Sequence, residues 1–150
     1  MRSAYVAFVA FLALGTGACG ILASDTFTGP ALIISISPGH SAQIIAPDSV
    51  ARGAGFQVSV RTIGGGCTRE IGRTLWNVSG RLVEIRPYNK TRQSGACYLD
   101  IIDITHTIRT RIDQAGPATI RVYGEEGTLE NTEARRGNTP AILDRAVTVY

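Results

Sequence analysis

The chain has 150 residues, of which 44% are hydrophobic and 18% charged, and its formal net charge is +3. That length holds one domain with one core, and the composition excludes a disordered chain. So small a charge excludes the strong field of a nucleic-acid-binding protein.

The chain begins with Arg2, an apolar stretch from Ala4 to Leu14, and small residues, GTGACG. This order is that of an export signal, which we place at residues 1–18. A spanning helix is the competing reading. It needs about 20 apolar residues, and this run breaks at Gly15 and Gly17. Thr16-Gly17-Ala18-Cys19 resembles the bacterial lipoprotein box, with Thr16 where leucine is usual. The resemblance implies a lipid on Cys19 and a protein anchored to a membrane of the cell envelope, facing the periplasm or the exterior. Ordinary cleavage near Ala18, giving a secreted protein, is the alternative. Residues 19–30 then read as a tether, being mostly small and polar after Cys19.

From Ala31 to the end, period-2 alternation dominates, as expected of half-buried strands. The first candidates are Leu32 to Ser37 and Ala42 to Ile45. In FQVSVRTI, Phe56, Val58 and Val60 fall on one face and Gln57, Ser59 and Arg61 on the other. Leu75 to Val78 follows, then RLVEIRP, with Val83 and Ile85 opposite Glu84 and Arg86. Tyr98 to Ile102, HTIRTRID, ATIRVYG and Ala141 to Tyr150 complete the set, separated by SPG, APD, ARGAG, GGG, SG, QSG, QAGP, EEG and RGNTP. No stretch sustains a helical period. The expectation is an all-β, antiparallel immunoglobulin-like β-sandwich of about seven to nine strands over residues 31–150, with a closed barrel as the alternative.

APDSVARGAGFQVSV resembles the entry into the second core strand of bacterial immunoglobulin-like domains, and DQAGPATIRVYG resembles the turn before strand F of fibronectin type III domains. Together with the leader, the chain is similar to bacterial lipoproteins carrying such a domain. Two departures stand out. The corner tyrosine is missing, and Cys67 and Cys97 lie outside the positions of the antibody bridge.

Three cysteines in an exported chain leave one unpaired unless it has another use. With Cys19 assigned to lipid, Cys67 and Cys97 pair in an oxidising compartment, as a staple between connecting segments. Gly64 to Gly66 then let the chain turn sharply toward the bridge. A catalytic cysteine would need a base, and the chain holds only His40 and His106. No C-x-x-C or H-x-x-x-H spacing points to zinc, and no motif calls for a cofactor.

Two features could carry binding. Arg61, Arg109 and Arg111 would share an outward sheet face if their strands are neighbours, a surface suited to anionic glycans or lipid headgroups, although a merely soluble face is the plainer reading. Residues 124–140, with Arg135 and Arg136, read as a long polar connection. The basic side chains are nearly all arginine, Lys90 being the one lysine, which we read first as genomic base composition. The functional expectation is a non-catalytic binding or structural module of the envelope, meeting an envelope protein or an anionic glycan. The alternatives are a small enzyme using His106 with a carboxylate or Cys67, and a subunit that pairs through an edge strand such as Leu32 to Ile36.

Overall fold

The computed structural model describes residues 26–35, 42–93, 95–97, 100–130 and 133–150. The signal segment, Cys19, the first residues of the tether and His40 lie outside the described residues. The strands are β1 (Thr26–Pro30), β2 (Leu32–Ser35), β3 (Gln43–Ile45), β4 (Ser49–Val50), β5 (Gly55–Gly65), β6 (Thr68–Ser79), β7 (Leu82–Arg92), β8 (Ile101–Arg111), β9 (Gly116–Glu130) and β10 (Glu133–Val149). No helix occurs among the described residues.

The expected antiparallel immunoglobulin-like sandwich is not what forms. The strands close into a mixed five-strand barrel, β5–β6–β7–β9–β2 and back to β5. Two of its contacts are parallel: β7 with β9, from Leu82↔Thr119 to Ile85↔Val122, and β2 with β9, from Leu32↔Glu125. The others are antiparallel, and two are thin, Leu32↔Ile63 and Gly65↔Thr68. β8 leaves the ring to pair along the whole of β5, from Gly55↔Arg111 to Gly65↔Ile101. Because β8 runs back on the far side, β7 and β9 run in the same direction and meet in parallel, which needs this kind of crossover. Alternation tells which side chains face inward. It does not tell which strand lies alongside.

The inward faces are as the alternation requires. Val58, Val83, Ile85, Ile112, Ile120 and Val122 are fully buried in one core, each contributing about 1.5–3 kcal/mol by leaving water. Tyr98 and Leu99 lie outside the described residues, and Ile101 and Ile102 join the strand expected at HTIRTRID in one run from Ile101 to Arg111, β8. The sheet also starts earlier than expected. Thr26–Pro30, read as tether, pairs with β7 from Thr26↔Arg92 to Pro30↔Tyr88.

The expected long connection at 124–140 is a second correction. β9 and β10 continue through it as a hairpin whose pairing reaches Glu133↔Glu130, with one irregularity between Arg136 and Thr139. GEEGTLENTEARRGNTP has no apolar alternation because this ladder is held by backbone hydrogen bonds, which any side chain permits.

Gly124 marks the closest seam. A Cβ there would meet the Ala31 carbonyl oxygen at 2.5 Å, and that oxygen accepts the Glu125 N–H at 3.0 Å. Gly124→Ala is therefore expected to push β2 off β9 and destabilise by about 1–3 kcal/mol. Gly55→Ala, with nothing within 4 Å of its Cβ, is the control and should change stability by less than about 0.5 kcal/mol. Urea titration of both variants checks the pair.

Candidate binding cleft and buried polar network

The inward alternation of the strands carries four polar residues. On β5, Thr62 follows Val58 and Val60. On β7, Asn89 follows Val83, Ile85 and Pro87. On β8, His106 sits between Ile104 and Ile108. Thr62, Asn89 and His106 are all 1% exposed or less. On β6, Thr74 stands opposite Pro87 and shares its face.

Buried polar groups need partners, and these four supply one another. His106 Nδ1 lies 2.8 Å from Thr74 Oγ1, and its Nε2 lies 2.8 Å from Asn89 Oδ1. Asn89 Nδ2 donates to Thr62 Oγ1 at 3.3 Å, and Thr62 Oγ1 donates to the Ile104 carbonyl at 3.1 Å. Burial lowers the His106 pKa to about 4, so the ring is neutral near pH 7. In that form the Thr74 hydroxyl can donate to Nδ1 and His106 Nε2–H to Asn89 Oδ1, and the sequence runs on through Thr62 to backbone. The network ties β5, β6, β7 and β8 together where β6 and β8 have no backbone pairing. Both ring nitrogens of His106 are thereby engaged, and Cys67 is held with Cys97.

Beyond this link the edges of β6 and β8 part and leave an open cleft. Trp76 and Val78 stand opposite Ile85 and Val83, so their side chains fall on the barrel's inner face. They are nevertheless 51% and 38% exposed, because among the described strands none pairs with this end of β6 on the side away from β7. The cleft has a volume of about 560 Å³, within the range of about 300–1,000 Å³ usual for small-molecule sites. Arg109 and Arg111 reach it from β8, Gly80 from the β6–β7 turn, and Asp113 and Gln114 from the β8–β9 connection.

β5 and β8 are neighbours, and their register, with Arg111 opposite Gly55, Arg109 opposite Gln57 and Arg61 opposite Thr105, puts the three arginines on one face, although they do not gather. Arg109 forms no ion pair among the described residues, and Arg111 has Asp113 at 3.6 Å with both side chains well exposed. Arg61 is elsewhere. It donates to Gln43 Oε1 at 3.0 Å and lies 3.6 Å from Asp103, about 13 Å along β5 from Gln57. Arg135 and Arg136 stand on β10 opposite Thr128 and Gly127, and their side chains lie outside the described part.

Cys67 follows the β5 turn and Cys97 lies between β7 and β8, with Cα atoms 4.8 Å apart, at disulfide distance. The bridge thus joins two connecting segments. Gly65 and Gly66 have φ of 151° and 56°, and the Gly66 value lies in the left-handed region that glycine enters at little cost.

Sequence reasoning passed over Trp76, Thr74, Asn89 and Thr62. The last two were detectable as polar residues on inward positions of regular strands. Trp76 was read only as part of the strand Leu75 to Val78, and its accessibility comes from the open side of β6 among the described strands.

No family model, curated protein or solved structure matches the chain.

Proposed function

We propose that this is an exported, lipid-anchored module of the bacterial cell envelope that binds an anionic glycan, without catalysis, in the cleft of Trp76, Arg109 and Arg111. The observation that carries the reading is an inward-facing tryptophan left half exposed beside two arginines. An indole offers a broad apolar face with a negative quadrupole, on which the C–H face of a sugar ring can lie. Guanidinium groups present paired donors suited to carboxylate or sulfate. The export and anchoring part rests on the leader, on the lipoprotein-like box at Cys19, and on the pairing of the two remaining cysteines. The bonding of both His106 nitrogens favours a structural role for that residue over an acid or base. Leu32 and Ile33 are buried and β2 pairs with β5 and β9 as far as Ser35, which favours the cleft over pairing through the Leu32 to Ile36 edge.

Trp76 is the one tryptophan of the chain, so its fluorescence reports the cleft alone. A uronic-acid oligosaccharide is expected to shift that emission, and a neutral oligosaccharide of equal length is not. Arg109→Ala and Arg111→Ala should each weaken binding roughly tenfold, the worth of a charge-assisted hydrogen bond. Equal response to both sugars would overturn the glycan reading. Intact mass of protein from the native host, with and without reductant, tests the anchor separately, since an acylated Cys19 adds the mass of its lipid.

A further inference from the structure

A second concavity lies at the opposite end of β6 and β7 from the cleft. It is more enclosed, has a volume of about 250 Å³, and is lined by Thr26, Cys67, Arg69, Glu70, Lys90 and Arg92. Cross-strand pairing brings these residues together. Arg92 stands opposite Thr26, Lys90 opposite Glu70, and the Arg92 N–H donates to the Cys67 carbonyl at 3.0 Å. Arg69 is fixed by a two-point contact with the Asp100 carboxylate, whose pKa that hydrogen bond lowers. Lys90 and Arg92 form no ion pair among the described residues. Ala96, beside Cys97, closes the pocket, so the disulfide holds one wall in place.

We propose that this pocket binds a phosphate group, held by Lys90 and Arg92 with Arg69, and with Glu70 accepting the proton of a phosphate monoanion. Converging cations in a partly enclosed space repel one another until an anion enters. Lysine supplies a compact point charge with three donors, a common choice for phosphate, and this is the chain's one lysine amid arginines. Glu70 distinguishes phosphate from sulfate. A phosphomonoester near neutrality still carries its second proton part of the time, with pKa about 6, whereas sulfate has none to donate. The phosphate could be a free ion or a lipid headgroup. From Cys19 to Thr26 the chain spans at most about 25 Å, which keeps this end near a bilayer. The headgroup source rests on the lipid-anchor reading above; the site itself does not.

The single lysine provides the test. The rate at which an amine-selective ester acylates Lys90 is followed by peptide mass mapping on the full chain in detergent. Millimolar inorganic phosphate is expected to slow acylation several-fold, sulfate to slow it less, and chloride at equal ionic strength not at all. Glu70→Gln should erase the difference between phosphate and sulfate, and Arg92→Ala should weaken protection. Trp76→Ala should leave protection intact, which separates this site from the cleft. Protein in phosphatidic acid vesicles is then compared with protein in phosphatidylcholine vesicles. Protection by free phosphate supports the site with a soluble source, and protection confined to phosphatidic acid supports it with a headgroup source. Acylation at the same rate with and without either phosphate, or protection by chloride equal to that by phosphate, would overturn the proposal.

Discussion

Between pH 6.5 and pH 4 the folded domain is expected to lose about 3 kcal/mol of stability through His106 alone. The unfolded imidazole takes up a proton near 6.5, while burial holds the folded one to about 4. Across that window the unfolded state binds more protons, so stability falls as pH falls. The contribution is complete above 6.5 and gone once pH has dropped through 4. A shift of this size at 1.36 kcal/mol per unit sets the magnitude. The structural reason is burial, because the His106 ring is 1% exposed and a charge there would lose its hydration. Urea titrations at the two ends of the window check it. His106→Gln, which cannot titrate, should be less stable than the parent above pH 6.5 and should approach it near pH 4. Parallel profiles for the two proteins would mean that His106 is not the buried neutral group described. Asp100 and Asp144, whose pKa values are lowered by Arg69 and Arg121 respectively, act below this window, and both are exposed.

Replacing Cys67 and Cys97 together by serine is expected to destabilise the domain by roughly 3 to 4 kcal/mol, the loop-closure value for a bridge of this span. The sequence separation is 30 residues, and total stabilities of single domains are only about 5–15 kcal/mol. The effect is large here because the bridge spans a thin part of the ring. β5 and β6 share one residue pair at their turn, Gly65↔Thr68, and the described residues between β7 and β8, namely 93, 95–97 and 100, belong to no strand. Parent protein treated with reductant should unfold at the same urea concentration as the double variant. A reduced protein as stable as the oxidised one would show that other contacts hold these segments.

Much of the interior was legible before any coordinates. Val58 and Val60, Val83 and Ile85, and Ile120 and Val122 are inward as their alternation requires, because a strand's side chains point to opposite faces with period 2. The bridge between Cys67 and Cys97 was legible by elimination. The candidate site was not. Arg109 and Arg111 could be assigned to an outward face, but their meeting with Trp76 depends on β6 and β8 parting beyond Thr74 and His106. His106 itself was weighed as a catalytic residue, although its place between Ile104 and Ile108 already marked it as inward.

By itself, the sequence determined that this is a β protein, which side chains enter its core, and where its chain must turn. These are local properties, set by each residue's neighbours along one strand. Only the tertiary structure decided that β7 meets β9 in parallel, that residues 124–130 and 133–140 pair as strands, and that one side of β6 is left open over a tryptophan. Backbone hydrogen bonds are the same for every residue, so they carry no mark of which strand they will join. Partners are chosen by closure and packing of the whole chain.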